Sequence, residues 1–122
     1  AISTLSALVI AMTPDLEAVE AERELWLRRF RVMDANPALL ATLIKQSAST
    51  EQELADVVAE RLGAPTSAGH PQLVAAVTGA ALRVSVMRWA ASGGALRLPA
   101  LVAEAFDLLA GGLTDPPPHG AG

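Results

Sequence analysis

Residues 71–92 read PQLVAAVTGAALRVSVMRWAAS, and the spacing of apolar side chains in that stretch decides the fold. On a helical wheel of about 100° per residue they fall on two faces instead of one. Leu73, Val77, Ala80, Val84, Met87 and Ala91 line the first face, and Val74, Thr78, Ala81, Leu82, Ser85 and Trp89 line the second. A helix that is apolar nearly all round must be covered on both sides. A chain of 122 residues has few elements left to do so, and a partner subunit is the economical cover for the first face.

Working outward, Ser92-Gly93-Gly94 ends this helix and Pro99 opens another, since glycine suits a helix C-terminus and proline a first turn. In that last helix Leu101, Val102, Ala105, Phe106, Leu108 and Leu109 span an arc of roughly 160°, wider than one neighbour covers. The helices over 71–92 and 99–112 are therefore expected to pair with a second copy of the chain. The expected interface residues are Leu73, Val77, Ala80, Val84, Met87, Leu101, Val102, Ala105, Phe106 and Leu109. Beyond Leu113 the sequence Asp115-Pro116-Pro117-Pro118-His119-Gly120 cannot pack. The chain divides into a domain over 1–113 and a disordered tail over 114–122.

Towards the N-terminus, Gly63, Pro65, Ser67 and Gly69 stop a helical pattern that begins at Asn36-Pro37. Its stripe is Leu39, Leu40, Leu43 and Ile44, then Leu54, Val57, Val58 and Leu62, with Ser47, Thr50 and Glu51 as a polar gap on the same face. Either the helix breaks near Ser49, where Ser49-x-x-Gln52 and Thr50-x-x-Glu53 resemble capping boxes, or one helix carries polar groups inward. One continuous helix is the favoured form. Thr13-Pro14-Asp15 reads as another start, giving a helix over 14–34 after an initial apolar segment. Within it Leu16, Val19, Trp26, Leu27, Phe30 and Met33 share an arc of roughly 120°. The result is an all-α domain of about five helices.

Composition narrows the function classes. Hydrophobic residues make up 52% and aromatics 3%, a balance that favours helix packing through Ala, Leu and Val. No cysteine is present, which excludes thiol chemistry and suits a reducing cytosol. A net charge of −4 does not suit tracking a phosphate backbone. The N-terminal apolar run through residues 8–12 is far below the roughly 20 residues that span a bilayer and has no basic region before it, so no membrane partner is expected. Ala1 opens in mid-pattern, as expected where other residues precede it.

No catalytic or metal-binding constellation is legible. His70 and His119 have no ligand partner at i+3 or i+4, and no nucleophile and base can be paired. Glu17, Glu20, Glu22 and Glu24 spread around a polar face and read as solvated. Neither cofactor nor metal is expected. Trp26, Phe30 and Met33 on one helix and Trp89 on another instead have the size and spacing to line a pocket. Ile44 and Leu82 extend that lining, Thr78 and Ser85 supply polar anchors, and plain core packing is the alternative for all of them. Arg23 lies inside an apolar arc and needs a partner, an ion pair with Glu20, Glu24 or a neighbouring helix ahead of a ligand group.

The order of these features resembles the C-terminal domain of TetR-family transcriptional regulators. The most specific part is Ala80-Ala81-Leu82-Arg83, Arg88-Trp89, Gly93-Gly94, Leu98, Leu101 and Phe106-Asp107-Leu108-Leu109, closing at Gly112-Leu113. Arg29-Phe30-Arg31-Val32-Met33, Asn36-Pro37-Ala38-Leu39 and Arg61-Leu62-Gly63 add to it. The resemblance implies that the last two long helices form a dimeric four-helix bundle and that a cavity for an apolar small-molecule effector lies among the earlier helices. It also implies a cytoplasmic repressor whose DNA contacts belong to an N-terminal helix-turn-helix head absent from this sequence. A constitutive dimerisation module with no ligand is the alternative.

Overall fold

In the computed structural model, residues 2–65 and 68–115 are described, apart from the side chains at 40, 43, 44 and 47. Five helices follow one another: α1 (Thr4–Ala21), α2 (Arg23–Asp34), α3 (Pro37–Leu62), α4 (Gly69–Ala91) and α5 (Leu98–Ala110). Among the described residues there is no strand, and the all-α expectation holds. The proposed tail over 114–122 falls outside the described residues from 116 onward.

The sequence signals place three of the four helix boundaries well. Asn36 caps α3 by accepting the Leu39 N–H at 3.3 Å, with Pro37 in the first turn. At the other end Gly63, at φ 64°, closes a Schellman turn in which Ala64 N–H reaches the Ala59 carbonyl and Gly63 N–H the Glu60 carbonyl. Between them α3 is unbroken across Ser49, with Thr42 and Thr50 donating back to the Ala38 and Gln46 carbonyls of the same helix. The α4 C-terminus repeats the same turn, with Gly94 N–H on Trp89 O and Gly93 N–H on Ala90 O.

The first boundary differs from expectation. Pro14 does not start a helix but lies inside α1, which begins at Thr4 with Ser3 as its cap. Proline removes one N–H and leaves the Ile10 carbonyl without its helical donor. Both residues are exposed, so water can take that acceptor. The chain turns instead at Glu22, with φ −108° and ψ 36°. Ala21, Glu22 and Arg23 are all good helix formers, and nothing local requires a break there. Tertiary contact supplies the cause, since the turn carries Arg23 to the α4–α5 loop.

The main core is shared by α1, α4 and α5, with α2 packed over it. Leu16, Ala81, Trp89, Leu98, Leu101, Val102 and Phe106 are buried together, and half-buried Leu8, Met12, Leu27 and Phe30 pack against them. A second contact, between α3 and α4, is built on small side chains: Ala55, Val58 and Ala59 on α3, and Val74 and Ala75 on α4. Among the described residues α4 is the one helix long and apolar enough to cross a bilayer. Its inner face is occupied by protein, and the packed helix of a globular core has the same composition.

One corner holds α1 and α2 to the α4–α5 loop. Glu20 accepts the Trp89 indole N–H at 3.3 Å with one carboxylate oxygen and the Leu98 backbone N–H at 2.8 Å with the other. The second bond places an anion at the N-terminus of α5, where the helix dipole favours it. Glu17 pairs with Arg97 at 3.0 Å, and Arg23 Nη1 donates to the Gly94 carbonyl at 3.3 Å. The solvated reading of the glutamates therefore fails for Glu20 and holds for Glu17, whose ion pair is at the surface, and the ion pair expected for Arg23 is replaced by a backbone acceptor.

Two outcomes follow for denaturant unfolding. A Cβ at Gly94 would stand 2.8 Å from Arg23 Cγ and 3.1 Å from Leu27 Cδ1 at φ +79°, whereas at Gly93, φ +64°, nothing lies within 4 Å. Gly94→Ala is expected to cost about 2–4 kcal/mol and Gly93→Ala about 1 kcal/mol; equal losses would contradict the close packing of Arg23. Glu20→Ala removes two bonds to a carboxylate and is expected to cost about 2–3 kcal/mol, against under about 0.5 kcal/mol for exposed Glu24→Ala. Similar losses for the two variants would refute the corner.

Candidate functional site

Helical spacing of four places Phe30 one turn after Trp26 on α2, and the turn at Glu22 lays that face over the end of α4. The Trp26 and Phe30 ring centroids are 6.1 Å apart and tilted by 41°. Phe30 in turn meets Trp89 at 6.2 Å and 82°, an edge-to-face contact. The three rings form a graded layer: Trp89 is 0% exposed, while Phe30 and Trp26 are half-buried. Arg29 lies over the outer ring, its guanidinium carbon 4.8 Å from the Trp26 centroid, a cation–π contact at the rim.

The two tryptophans expected to face one cavity are thus brought together, but through Phe30 and in packed contact. Met33 is half-buried on the next turn of α2, and Leu82 is half-buried against the core. Thr78 is 2% exposed and its hydroxyl donates back to the Val74 carbonyl at 2.8 Å. Ser85 is 1% exposed and its Oγ has no hydrogen-bond partner among the described residues. The Ile44 side chain lies outside the described residues.

Two open clefts lie elsewhere. The larger, about 640 Å³, runs between the α1–α2 turn and the α4–α5 loop, with Glu17, Glu20, Glu22, Arg23 and Glu24 facing Gly94, Ala95 and Arg97. Of the residues expected to line a pocket it contains Arg23 alone. The other, about 420 Å³, separates Ala48, Glu51, Gln52 and Ala55 on α3 from Gly69, Gln72, Leu73 and Ala76 on α4. Sequence reasoning missed this groove. Its signal was the alanines and glycine at 48, 55, 69 and 76, which leave a gap where two helices diverge.

The residues expected at a pairing face are open on α4 and in part buried on α5. Leu73 and Met87 are each 63% exposed and Val84 is 47% exposed, with Val77 and Ala80 half-buried between them. On α5, Ala105 and Leu109 are half-buried, but Leu101, Val102 and Phe106 are 5%, 0% and 3% exposed within a single chain. Those three are corrected from interface to core. Their arc is wide because α1 covers it together with α4, a neighbour the sequence pattern did not assign to them.

A family model of TetR-type C-terminal domains, described as the MftR C-terminal domain, matches residues 2–114. No curated protein and no solved structure matches the chain significantly. The family match runs through all five helices, from the cap of α1 to the turn after α5. On the extent of that match, the chain belongs to the family of C-terminal domains of TetR-type transcriptional regulators.

Proposed function

We propose that this domain senses an apolar small-molecule effector and dimerises within a cytoplasmic TetR-like repressor, and that effector binding relieves DNA binding by an N-terminal helix-turn-helix head. The observation that carries the reading is the division of α4. Its inner face holds Trp89 against Phe30, and its outer face leaves Leu73, Val84 and Met87 uncovered. Contiguous exposed apolar surface on a soluble domain marks a contact site, and a two-fold pairing would make that stripe self-complementary. The effector then acts by favouring one helix arrangement over another, since equal affinity for both would shift nothing.

The inner site is the aromatic layer, with Trp26, Phe30, Met33 and Leu82 as apolar lining and Ser85 as polar anchor. Thr78 and Arg23 are weaker anchors, because both already have backbone acceptors. Phe30 filling the space between the tryptophans favours a second reading, a constitutive dimerisation module with a complete core and no ligand. Fatty and aromatic compounds and acyl thioesters are the effectors to screen.

Tryptophan emission separates the two. Trp26→Phe leaves Trp89 as sole reporter, and Trp89→Phe leaves Trp26. Saturable changes in both variants with the same compound are expected for a shared site, and Phe30→Ala, which removes the ring that a ligand must displace, is expected to tighten that binding. Trp89→Ala is a poor probe, since removing a fully buried ring costs about 3–5 kcal/mol of fold stability. A broad apolar library that produces no saturable change in either variant would leave the dimerisation module standing.

A further inference from the structure

We propose that the Ser85 hydroxyl anchors the effector inside the α4 core face, and that the effector is a neutral amphiphile: an apolar body carrying one uncharged hydrogen-bonding oxygen, as in an alcohol or an ester. This rests on the sensing reading above and adds to it the chemical class of the ligand. A hydroxyl withdrawn from water and left unpaired is destabilising, and Ser85 Oγ is in that position at 1% exposure. Thr78, seven residues earlier and on the same face, is equally buried but donates to the carbonyl four residues back. The equivalent acceptor for Ser85 is the Ala81 carbonyl, and that bond is not made.

The surroundings say what would complete it. Ala81 and Trp89 stand one turn to either side of Ser85, both in the main core, so the face is at its least bulky at Ala81 and Ser85. Trp89 is roughly 6 Å along the helix axis from Ser85 and abuts Phe30, which is half-buried. A ligand that displaced Phe30 would reach Ser85 one turn further in. The cations beside this layer lie at its exposed rim, Arg29 over Trp26 and Arg23 on the Gly94 carbonyl, and Glu20, the carboxylate bonded to Trp89, has both oxygens in use. An anionic head would therefore be buried without a counter-charge, and a pure hydrocarbon would leave the hydroxyl unpaired.

Thermal unfolding and calorimetric titration with 1-decanol and sodium decanoate test this on the whole chain. Alanine raises helix propensity by itself, so Ser49→Ala, exposed on α3, sets the baseline. Without ligand, Ser85→Ala is expected to melt about 4 °C higher than Ser49→Ala, and to bind 1-decanol about tenfold more weakly than the unmodified chain. The unmodified chain is expected to prefer 1-decanol to decanoate by about tenfold or more. A melting temperature at or below that of Ser49→Ala would show that the hydroxyl has a partner in the free protein and would overturn the proposal. Equal 1-decanol affinity in Ser85→Ala, or tighter binding of decanoate, would overturn it while leaving ligand sensing intact. No binding of either probe to the unmodified chain would sink the neutral-amphiphile assignment, and the emission screen would then decide whether any ligand is sensed.

Discussion

Taking the Trp89 indole wholly out of water requires an acceptor for its N–H, and the Glu20 carboxylate provides it. The second oxygen of that carboxylate meets the first backbone N–H of α5, so one side chain on α1 sets the position of both α4 and α5. Arg97 and Arg23 add contacts at the same corner, to Glu17 and to the Gly94 carbonyl. The close approach of the Arg23 stem requires Gly94 to have no side chain. The turn at Glu22 follows from this geometry, and with it the delivery of Phe30 to the edge of Trp89.

The consequence for function lies in α4. In the proposed sensing role, a helix fixed on one side by an aromatic layer and exposed on the other would carry a shift at the first face to the second, because packed elements move as units. Arg88 on α4 pairs with Glu104 on α5 at 3.4 Å, with both side chains about half exposed. A surface pair of this kind contributes little, so the two helices are held to one another mainly by their buried residues. Displacement of Phe30 by a bound molecule would bear on Trp89, on its bond to Glu20 and thereby on the start of α5.

Much of the fold was legible because its signals are local. Asn36-Pro37 and Gly63 bracket α3, Gly93-Gly94 end α4, and the two apolar faces of α4 were plain from spacing alone. The errors share a cause in tertiary contact. Pro14 looks like a start, yet the carbonyl it leaves without a donor belongs to exposed Ile10 and the helix runs through it. Glu22 looks helical, yet the chain turns there to seat Arg23. Glu20 reads as one more surface carboxylate among four, since no sequence signal says that a buried indole and a helix terminus will need its two oxygens. Leu101, Val102 and Phe106 are apolar on a wide arc, but periodicity cannot distinguish cover by α1 from cover by a partner. Trp26, Phe30 and Trp89, grouped on spacing as the lining of a pocket, meet as packed rings, a contact that depended on a helix direction left open by the spacing.

The reading of this domain turns on what covers the α4 stripe on which Leu73, Val84 and Met87 are exposed, with Val77 and Ala80 half-buried between them. Sedimentation equilibrium of the unmodified chain at micromolar concentration measures that directly. A mass twice the 12.6 kDa of one chain is the predicted result, with the stripe closed against its own copy. A mass of a single chain across that range would contradict pairing through α4.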